Sequence, residues 1–377
     1  MNDVEIRPVT DASDLKAFIA VPWSIYRDDA NWVPPLKIEC KEAFSKKNPF
    51  FEHAHWQAWL AYREGVPVGR ISAQIDSLYL ERHDPHTGFF GLIEAPDDEE
   101  VFTALFGVAE DWLREQGMKT ALGPFNLGIN QELGCLVEGF DSPPYVMMGH
   151  ARPFYGQQIE KQAYSKAQDL LSYEMDRDSF AFPPIVRRLL KRQQKRISVR
   201  PIDRKNKAAD LQTMRSIFND AWSGNWGFVP FTSNEFAAVG KELLMIVPPD
   251  FIHIADLDGE PAAFIVLIPN LNEVIADLDG RLFPFGWARL LWRLKVRFPE
   301  TGRIALMGVR RELQNTRLGP ALAYSVMQAL HGPILSRGLQ RVEASWILEE
   351  NQGMRKIMEQ VGAVVTRRYR MYQKSLL

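Results

Sequence analysis

Val4-Glu-Ile-Arg-Pro-Val9 alternates apolar and polar positions as a half-buried strand does, and Asp14-Leu-Lys-Ala-Phe-Ile19 then shifts to helical spacing. The opening unit therefore reads as strand, then helix. Over 57–75, two alternating runs flank Arg63-Glu-Gly65, which predicts a hairpin with the glycine in its turn. A second hairpin of the same design is expected over 251–268, around Asp258-Gly-Glu260. The similarity extends further. Ile197-Ser-Val-Arg-Pro-Ile202 restates Val4 to Val9 at an offset of 193 residues, and Leu211 to Phe218 restates the first helix. After each hairpin the pattern gives strand, long helix and strand: Phe90–Glu94, Glu99–Gln116 and Lys119–Leu122, then Arg303–Val309, Ala321–Arg337 and Arg341–Ile347.

This repetition predicts an α/β (α+β) chain of two tandem domains, each a twisted mixed sheet flanked by helices. A length of 377 residues suits two cores better than one. The boundaries read as 1–182, a basic linker helix over 183–196, and 197–377. With 46% hydrophobic and 24% charged residues, the chain has enough apolar surface for full cores, which excludes a disordered or fibrous protein. A net charge of −2 gives no overall attraction to nucleic acid or anionic membrane, so any such attraction must be local. Cys40 and Cys135 are too few for a disulfide framework and point to a reducing compartment. The N-terminus lacks the order of a secretory signal, and no run approaches the ~18 apolar residues of a spanning helix. A cytoplasmic protein is expected, with room for peripheral contact at the inner face of the membrane.

Candidate chemistry concentrates over 303–330, where a strand runs through the polar loop Arg310-Arg-Glu-Leu-Gln-Asn-Thr-Arg-Leu-Gly319 into a helix beginning near Pro320. Proline suits a helical first turn, and the amides and dipole of a helix start attract anions. A diphosphate is a fitting ligand, with Arg310, Arg311 and Arg317 supplying charge. The corresponding junction of the first half carries Asp97, Asp98, Glu99 and Glu100, which suit a helix start but repel phosphate.

Gln314-Asn-Thr-Arg-Leu-Gly319 resembles the pyrophosphate loop of the GNAT superfamily, Gln/Arg-x-x-Gly-x-Gly/Ala, with Arg317 replacing the first glycine. Asn351, Met354, Met358, Gly362 and Ala363, followed by the alternating strand Val364–Tyr372, resemble its Asn-x-x-Ala-x-x-x-Tyr-x-x-x-Gly-Phe segment. The family tyrosine that protonates the leaving thiolate falls on Met358, leaving Tyr369, Tyr372 or Tyr324 as substitutes. The resemblance implies an acyl-CoA site formed by Met307, Val309, Arg310, Arg311, Gln314, Arg317, Leu318, Gly319, Ala321 and Asn351. It also implies direct attack of an amine on the thioester, with a backbone N–H among Met307, Gly308 and Val309 steadying the oxyanion. Glu235, His253, Asp256 and Glu343 are candidate bases, and Glu235, Glu343 and Tyr369 are the catalytic expectation. Trp222, Asn225, Trp226 and Phe228 form an aromatic cluster where the superfamily meets its acceptor, with core packing as the competing reading. The first half is expected to be a degenerate GNAT-like domain that helps shape the acceptor pocket, with Gly123-Pro-Phe-Asn126, Asn130 and Gly134–Phe140 as candidate lining.

Two basic segments bear on the acceptor. Arg187, Arg188, Lys191, Arg192, Lys195 and Arg196 read either as a solvated linker or as an anchor for phosphate-bearing surfaces. Over 282–298, Trp287, Leu290, Leu291, Leu294 and Phe298 share a helical face beside Arg289, Arg293 and Arg297, the composition of an interfacial helix or of one docked on its own domain. His53-x-His55 and His83-x-x-His86 lack a completing motif, so no metal is expected. The whole chain is similar to tandem GNAT proteins that include bacterial ceramide synthases, which implies long-chain acyl transfer to a lipid amine such as a sphingoid base. The resemblance rests on length, on Asn225-Trp-Gly-Phe228 and on Leu306–Gly319. The alternatives are an acetyltransferase of a soluble amine or peptide and a non-catalytic acyl-CoA-binding protein; nucleic acid is not an expected partner.

Overall fold

A computed structural model describes residues 3–178 and 180–377; Met1, Asn2 and Ser179, which fall within the expected first domain, lie outside the described residues. The chain forms two compact units: residues 1–170, 275–287 and 367–377 make unit 1, and residues 171–274 and 288–366 make unit 2.

Unit 1 begins with β1 (Glu5–Pro8) and α1 (Ala12–Ile25). The helix starts where Asp11 accepts the N–H groups of Ser13 and Asp14 while Asp14 reaches back to Asp11, a reciprocal cap that satisfies donors the helix cannot. After α2 (Lys37–Ala43), β2 (Ala54–Arg63) and β3 (Val66–Asp76) pair through Glu64 and Gly65, both at positive φ, as a tight hairpin turn requires. Next come α3 (Ser77–Arg82), β4 (Thr87–Glu94), α4 (Glu99–Glu115), β5 (Thr120–Gly123), β6 (Phe125–Asn126), β7 (Glu132–Leu133), β8 (Cys135–Glu138), α5 (Tyr155–Lys161) and β9 (Ser165–Asp176), which runs on into unit 2.

Unit 2 repeats the plan. It contains α6 (Pro184–Gln193), β10 (Ile197–Pro201), α7 (Lys207–Ala221), α8 (Ser233–Ile246) and the hairpin β11 (Ile252–Leu257) to β12 (Glu260–Pro269), turned by Asp258 and Gly259 at positive φ. Then follow α9 (Leu271–Ile275), α10 (Gly286–Val296, whose first two residues belong to unit 1), β13 (Thr301–Val309), α11 (Arg311–Gln314), α12 (Leu318–Arg337), β14 (Arg341–Leu348), α13 (Gln352–Gln360) and β15 (Val364–Ser375), which from residue 367 onward belongs to unit 1. The core lies where the continuous apolar run Ala262–Ile268 of β12 meets Ala321, Leu322 and Val326 of α12, all buried.

The strand orders β1-β2-β3-β4-β5 and β10-β11-β12-β13-β14 match, and the β4–β5 and β13–β14 pairs are the parallel ones. The final strands do not follow the sequence halves. Residues 368–375 of β15 pair with β5 and β8 in unit 1, while β9 lies beside β14.

Each parallel pair parts early. Register between β13 and β14 runs only from Thr301↔Arg341 to Ile304↔Ala344. At that point Ala305 is an extra residue against β12, since Val266 opposes Leu306 and Leu267 opposes Ile304. Such a bulge bends and twists its strand, and so β13 swings from β14 and leaves a wedge between Leu306–Val309 and Ser345–Leu348.

Candidate active site

The wedge of unit 2 is open and is the bottom of a cavity of about 1110 Å³. That volume exceeds the roughly 300–1,000 Å³ typical of small-ligand sites. Its walls are the splayed ends of β13 and β14, the start of α12, the first turns of α13 and one face of α6. The equivalent wedge of unit 1 is closed by its own chain. A Cβ at Gly91 would stand 1.7 Å from the Phe125 carbonyl oxygen, so β6 lies directly on β4. Gln74 donates to the carbonyls of Phe125 and Leu127 at 2.7 and 2.9 Å, and Asn126 accepts the Leu92 N–H at 2.8 Å. At the start of α4, Asp98 already accepts from Glu100 and Val101 and pairs with Arg63. Phe125 and Asn126, expected as lining, thus fill the slot in which a ligand would lie.

At the start of α12 the side chain of Arg317 makes no capping bond, the Thr316 hydroxyl accepts the Leu318 N–H at 3.1 Å, and Arg317, Gly319 and Pro320 face the cavity. Arg317 has φ −66° and ψ −15°, an ordinary helical conformation, so replacing the family glycine there costs no backbone strain. Gly319 is where absence of a side chain matters: a Cβ would lie 2.7 Å from the carbonyl oxygens of both Leu313 and Gln314. The glycine lets α11 fold against the first turn of α12, and Gln314 ties the loop back by donating to Ala221 and Val309 carbonyls at 2.8 and 2.9 Å.

Of the ten residues expected to bind the acyl donor, Met307, Val309, Gln314, Arg317, Gly319 and Asn351 line the cavity. The other four do not. Arg310 points its guanidinium at the carbonyls of Pro261 and Ser216, and Arg311 donates to Ser223. Ala321 is fully buried in the core, and Leu318 is absent from the walls. For Leu318 and Ala321 helical geometry explains this, because only one face of α12's first two turns meets the wedge: Gly319, Pro320, Ala323 and Tyr324. Asn351 also caps α13 by accepting the Met354 N–H at 3.1 Å.

Trp222 and Asn225 line the cavity, whereas Phe228 is buried 6.0 Å from the Phe218 ring and belongs to the core; Trp226 is not among the walls. Trp222 donates its indole N–H to the Met307 carbonyl at 3.1 Å and meets Trp346 edge-on at 5.4 Å.

The expected catalytic groups separate. Glu235 is taken up in a reciprocal cap of α8 with Thr232. Tyr369 is fully buried in unit 1 and is not part of the cavity wall. His253 and Asp256 lie on β11, away from the lining; burial lowers the pKa of His253 and raises that of Asp256. Glu343 is fully buried on β14 and accepts a 2.6 Å hydrogen bond from Ser345, whose hydroxyl accepts from Arg303 at 2.7 Å. Ser345 itself is on the cavity wall, so the buried carboxylate reaches the cavity through one hydroxyl. Tyr324 stands on the wall, donates to Gln360, and is held protonated by burial, which raises its pKa above the usual value. Met358, at the family tyrosine position, lines the cavity as an apolar residue.

Sequence reasoning missed α6 as a wall: Ile185, Val186, Arg188, Leu189 and Arg192 face the cavity. The i, i+3, i+4, i+7 spacing of Ile185, Arg188, Leu189 and Arg192 was the available signal.

No family model matches the chain. It is 51% identical over 371 residues to "Protein YghO" of Escherichia coli, covering 98% of this chain and 95% of that one. It is 45% identical over 377 residues to the "Bacterial ceramide synthase" of Caulobacter vibrioides, covering 99% and 98% respectively. The chain belongs to the family of these two proteins. Its fold is also similar to that of a tandem GNAT protein from the clavulanic acid biosynthesis pathway, with a TM-score of 0.56 at 11% identity, covering 100% of this chain and 99% of that one. The matching β-β-β-β-β orders are therefore two GNAT-like domains in tandem, of which the second keeps an open wedge.

Among the described residues no helix is long and apolar enough to cross a membrane, and no group of His, Cys, Asp and Glu is arranged to hold a metal. His53 pairs with Asp76 at 2.8 Å, and His83 packs 4.5 Å from the Tyr79 ring. Residues Leu290, Leu294 and Phe298 are partly buried, and Phe298 packs at 5.9 Å on Phe251. Trp287 and Leu291, expected on the same face, are about half exposed, and Trp292 and Val296 on the other side are about half or more exposed, beside exposed Arg289, Lys295 and Arg297.

Proposed function

We propose that this protein is an acyl-CoA N-acyltransferase that joins a long-chain acyl group to a lipid amine, a sphingoid base, giving a ceramide-type amide. The observation that carries the reading is the large open wedge beside the start of α12, in a chain 45% identical throughout to a bacterial ceramide synthase. Residues 197–377 are read as the donor-binding GNAT domain and residues 1–182 as the degenerate one, whose wedge is filled by β6.

In this reading the diphosphate of acyl-CoA lies at the α12 start, neutralised by Arg317 and by the helix dipole. The pantetheine arm enters between β13 and β14, where strand edges have lost each other as partners. The amine nitrogen attacks the thioester carbonyl carbon to form the C–N bond, and the carbonyl electrons move to oxygen. The proton lost by nitrogen passes to Ser345 as Ser345 gives its own to Glu343. Collapse of the tetrahedral intermediate breaks the C–S bond, and Tyr324 protonates the departing thiolate. These roles follow from position on the cavity wall. The apolar lining by Ile304, Ala323, Trp346, Ile347 and Met358 suits a fatty chain better than an acetyl group.

A lipid acceptor must be reached at a membrane surface. The exposed Leu291, Trp292 and Val296 with neighbouring arginines supply the apolar and cationic elements of peripheral contact, at the cytoplasmic face. The test is thiol release from acetyl-CoA and palmitoyl-CoA, each with and without sphinganine, with Gly319→Glu as control. Release only with palmitoyl-CoA and sphinganine, lost in the variant, supports the reading; release from acetyl-CoA with soluble amines contradicts it.

A further inference from the structure

The helix α6 connects β9 to β10, yet one of its faces is a wall of the cavity. Ile185, Arg188, Leu189 and Arg192 lie on that face, while Arg187 and Lys191 point elsewhere. The helix is held at its start: Val186 is buried, Phe182 meets the Tyr324 ring at 5.7 Å, and Phe180 stacks on His331 at 5.7 Å. Beyond that anchor the inward face is left uncovered, with Ile185 67% exposed at the cavity.

The charge of the cavity is unbalanced. Arg188, Arg192, Arg317 and Lys356 line it against one acid among the described residues, Glu350. Arg192, Arg317 and Lys356 have no ion pair or side-chain hydrogen bond among the described residues, and Arg188 bonds only to the carbonyl of Pro184, in its own helix. Cations gathered around one space without partners repel one another unless an anion joins them. The α12 start and Arg317 account for a diphosphate. CoA carries in addition a 3′-phosphate monoester, which holds about −1.5 to −2 charge at neutral pH and calls for cations of its own.

Building on the function proposed above, we infer that α6 is a clamp for the acyl donor: Arg188 and Arg192 bind the 3′-phosphate of CoA while Ile185 and Leu189 cover apolar parts of the bound donor. The clamp selects donors that carry the 3′-phosphate over those attached through phosphopantetheine alone, because the latter give the two guanidiniums no anion.

The test is isothermal titration of the full chain with CoA and with 3′-dephospho-CoA. Three proteins are compared: wild type, the double variant Arg188→Ala/Arg192→Ala, and a control, Arg187→Ala/Lys191→Ala, on the other face of the same helix. Wild type is expected to prefer CoA by about tenfold or more, the effect of losing at least one charge-assisted hydrogen bond. The Arg188→Ala/Arg192→Ala protein should bind both ligands alike, at the wild-type level for 3′-dephospho-CoA, and the control should behave as wild type. The substituted side chains are exposed and Val186 is retained, so an unchanged circular dichroism melt is expected to accompany the loss. Equal binding of the two ligands by wild type overturns the inference, as does a double variant that keeps the preference or loses affinity for both ligands equally. A wild type that binds CoA with an unaffected double variant sinks the clamp alone. Binding of neither ligand by wild type sinks the proposed function with it.

Discussion

Replacing Gly319 by alanine adds one methyl group at the point where α11 folds against α12. The new carbon would lie 2.7 Å from two backbone oxygens and 3.0 Å from the Gln314 Cα. Ordinary contacts of such atoms begin near ~3.5 Å, so roughly 0.8 Å must be made up. The obstacles are backbone atoms, which do not rotate aside as a flexible side chain would. Gly319 has no left-handed φ, so the cost is spatial and not conformational. α11 is short and mostly exposed and should therefore move, stretching the Gln314 bonds to Ala221 and Val309 and the 2.8 Å Arg311 N–H bond to Asp220. Overpacking of this kind costs about 1–3 kcal/mol, or roughly 3–10 °C in melting temperature for a unit of this size. Because the displaced residues form the rim of the helix start, CoA affinity should fall about tenfold or more while the KM for the amine stays unchanged. Calorimetric titration with CoA and thermal melts check both effects. Gly107→Ala, inside α4 with nothing within 4 Å of the added carbon, is the control and should stabilise by roughly 0.5–1 kcal/mol. A Gly319→Ala protein with native melting temperature and native CoA affinity would refute the reasoning.

Three further outcomes are expected. Ser345→Ala and Tyr324→Phe should each lower kcat by about 10²-fold or more with CoA affinity preserved, as steady-state kinetics beside titration will show; weakened binding with intact kcat would place them in recognition instead of proton transfer. In unit 1, burial raises Glu94 to about 7 from 4.5, against the attraction of Arg70 and the 2.7 Å bond from Tyr155. The folded state then favours the protonated acid, so stability is fully present below about pH 4.5 and is lost as pH rises to about 7, by a few kcal/mol at most; Glu94→Gln should abolish this slope in melts from pH 5 to 8. Substituting Trp292 and Val296 together by aspartate should prevent flotation with anionic vesicles without altering the melt, since both side chains are exposed.

Much of the fold was legible because the signals are local. The two hairpins depend on Glu64-Gly65 and Asp258-Gly259, whose positive φ values match the turn chemistry. The strand, polar turn and helix around Gly319-Pro320 were legible for the same reason. What distance in the chain conceals was missed. Nothing in Val364–Tyr372 says that residues 368–375 pair with β5 and β8, because an alternating strand accepts any edge that offers hydrogen bonds. The cations of Arg310 and Arg311 read as ligands until folding turned them toward Ser216, Pro261 and Ser223. Glu235 illustrates the opposite error, since Thr232-x-x-Glu235 is a capping pattern visible in the sequence. Glu343 was one carboxylate among several until β14 placed Ser345 between it and the cavity.

The most direct test of the central claim is mass spectrometry of the lipid product after incubating the protein with palmitoyl-CoA and sphinganine. The account predicts N-palmitoyl-sphinganine formed in equal amount to free CoA, and its disappearance in Gly319→Glu. Free CoA without the amide, or N-acetylation of the same base from acetyl-CoA at a higher rate, would contradict it.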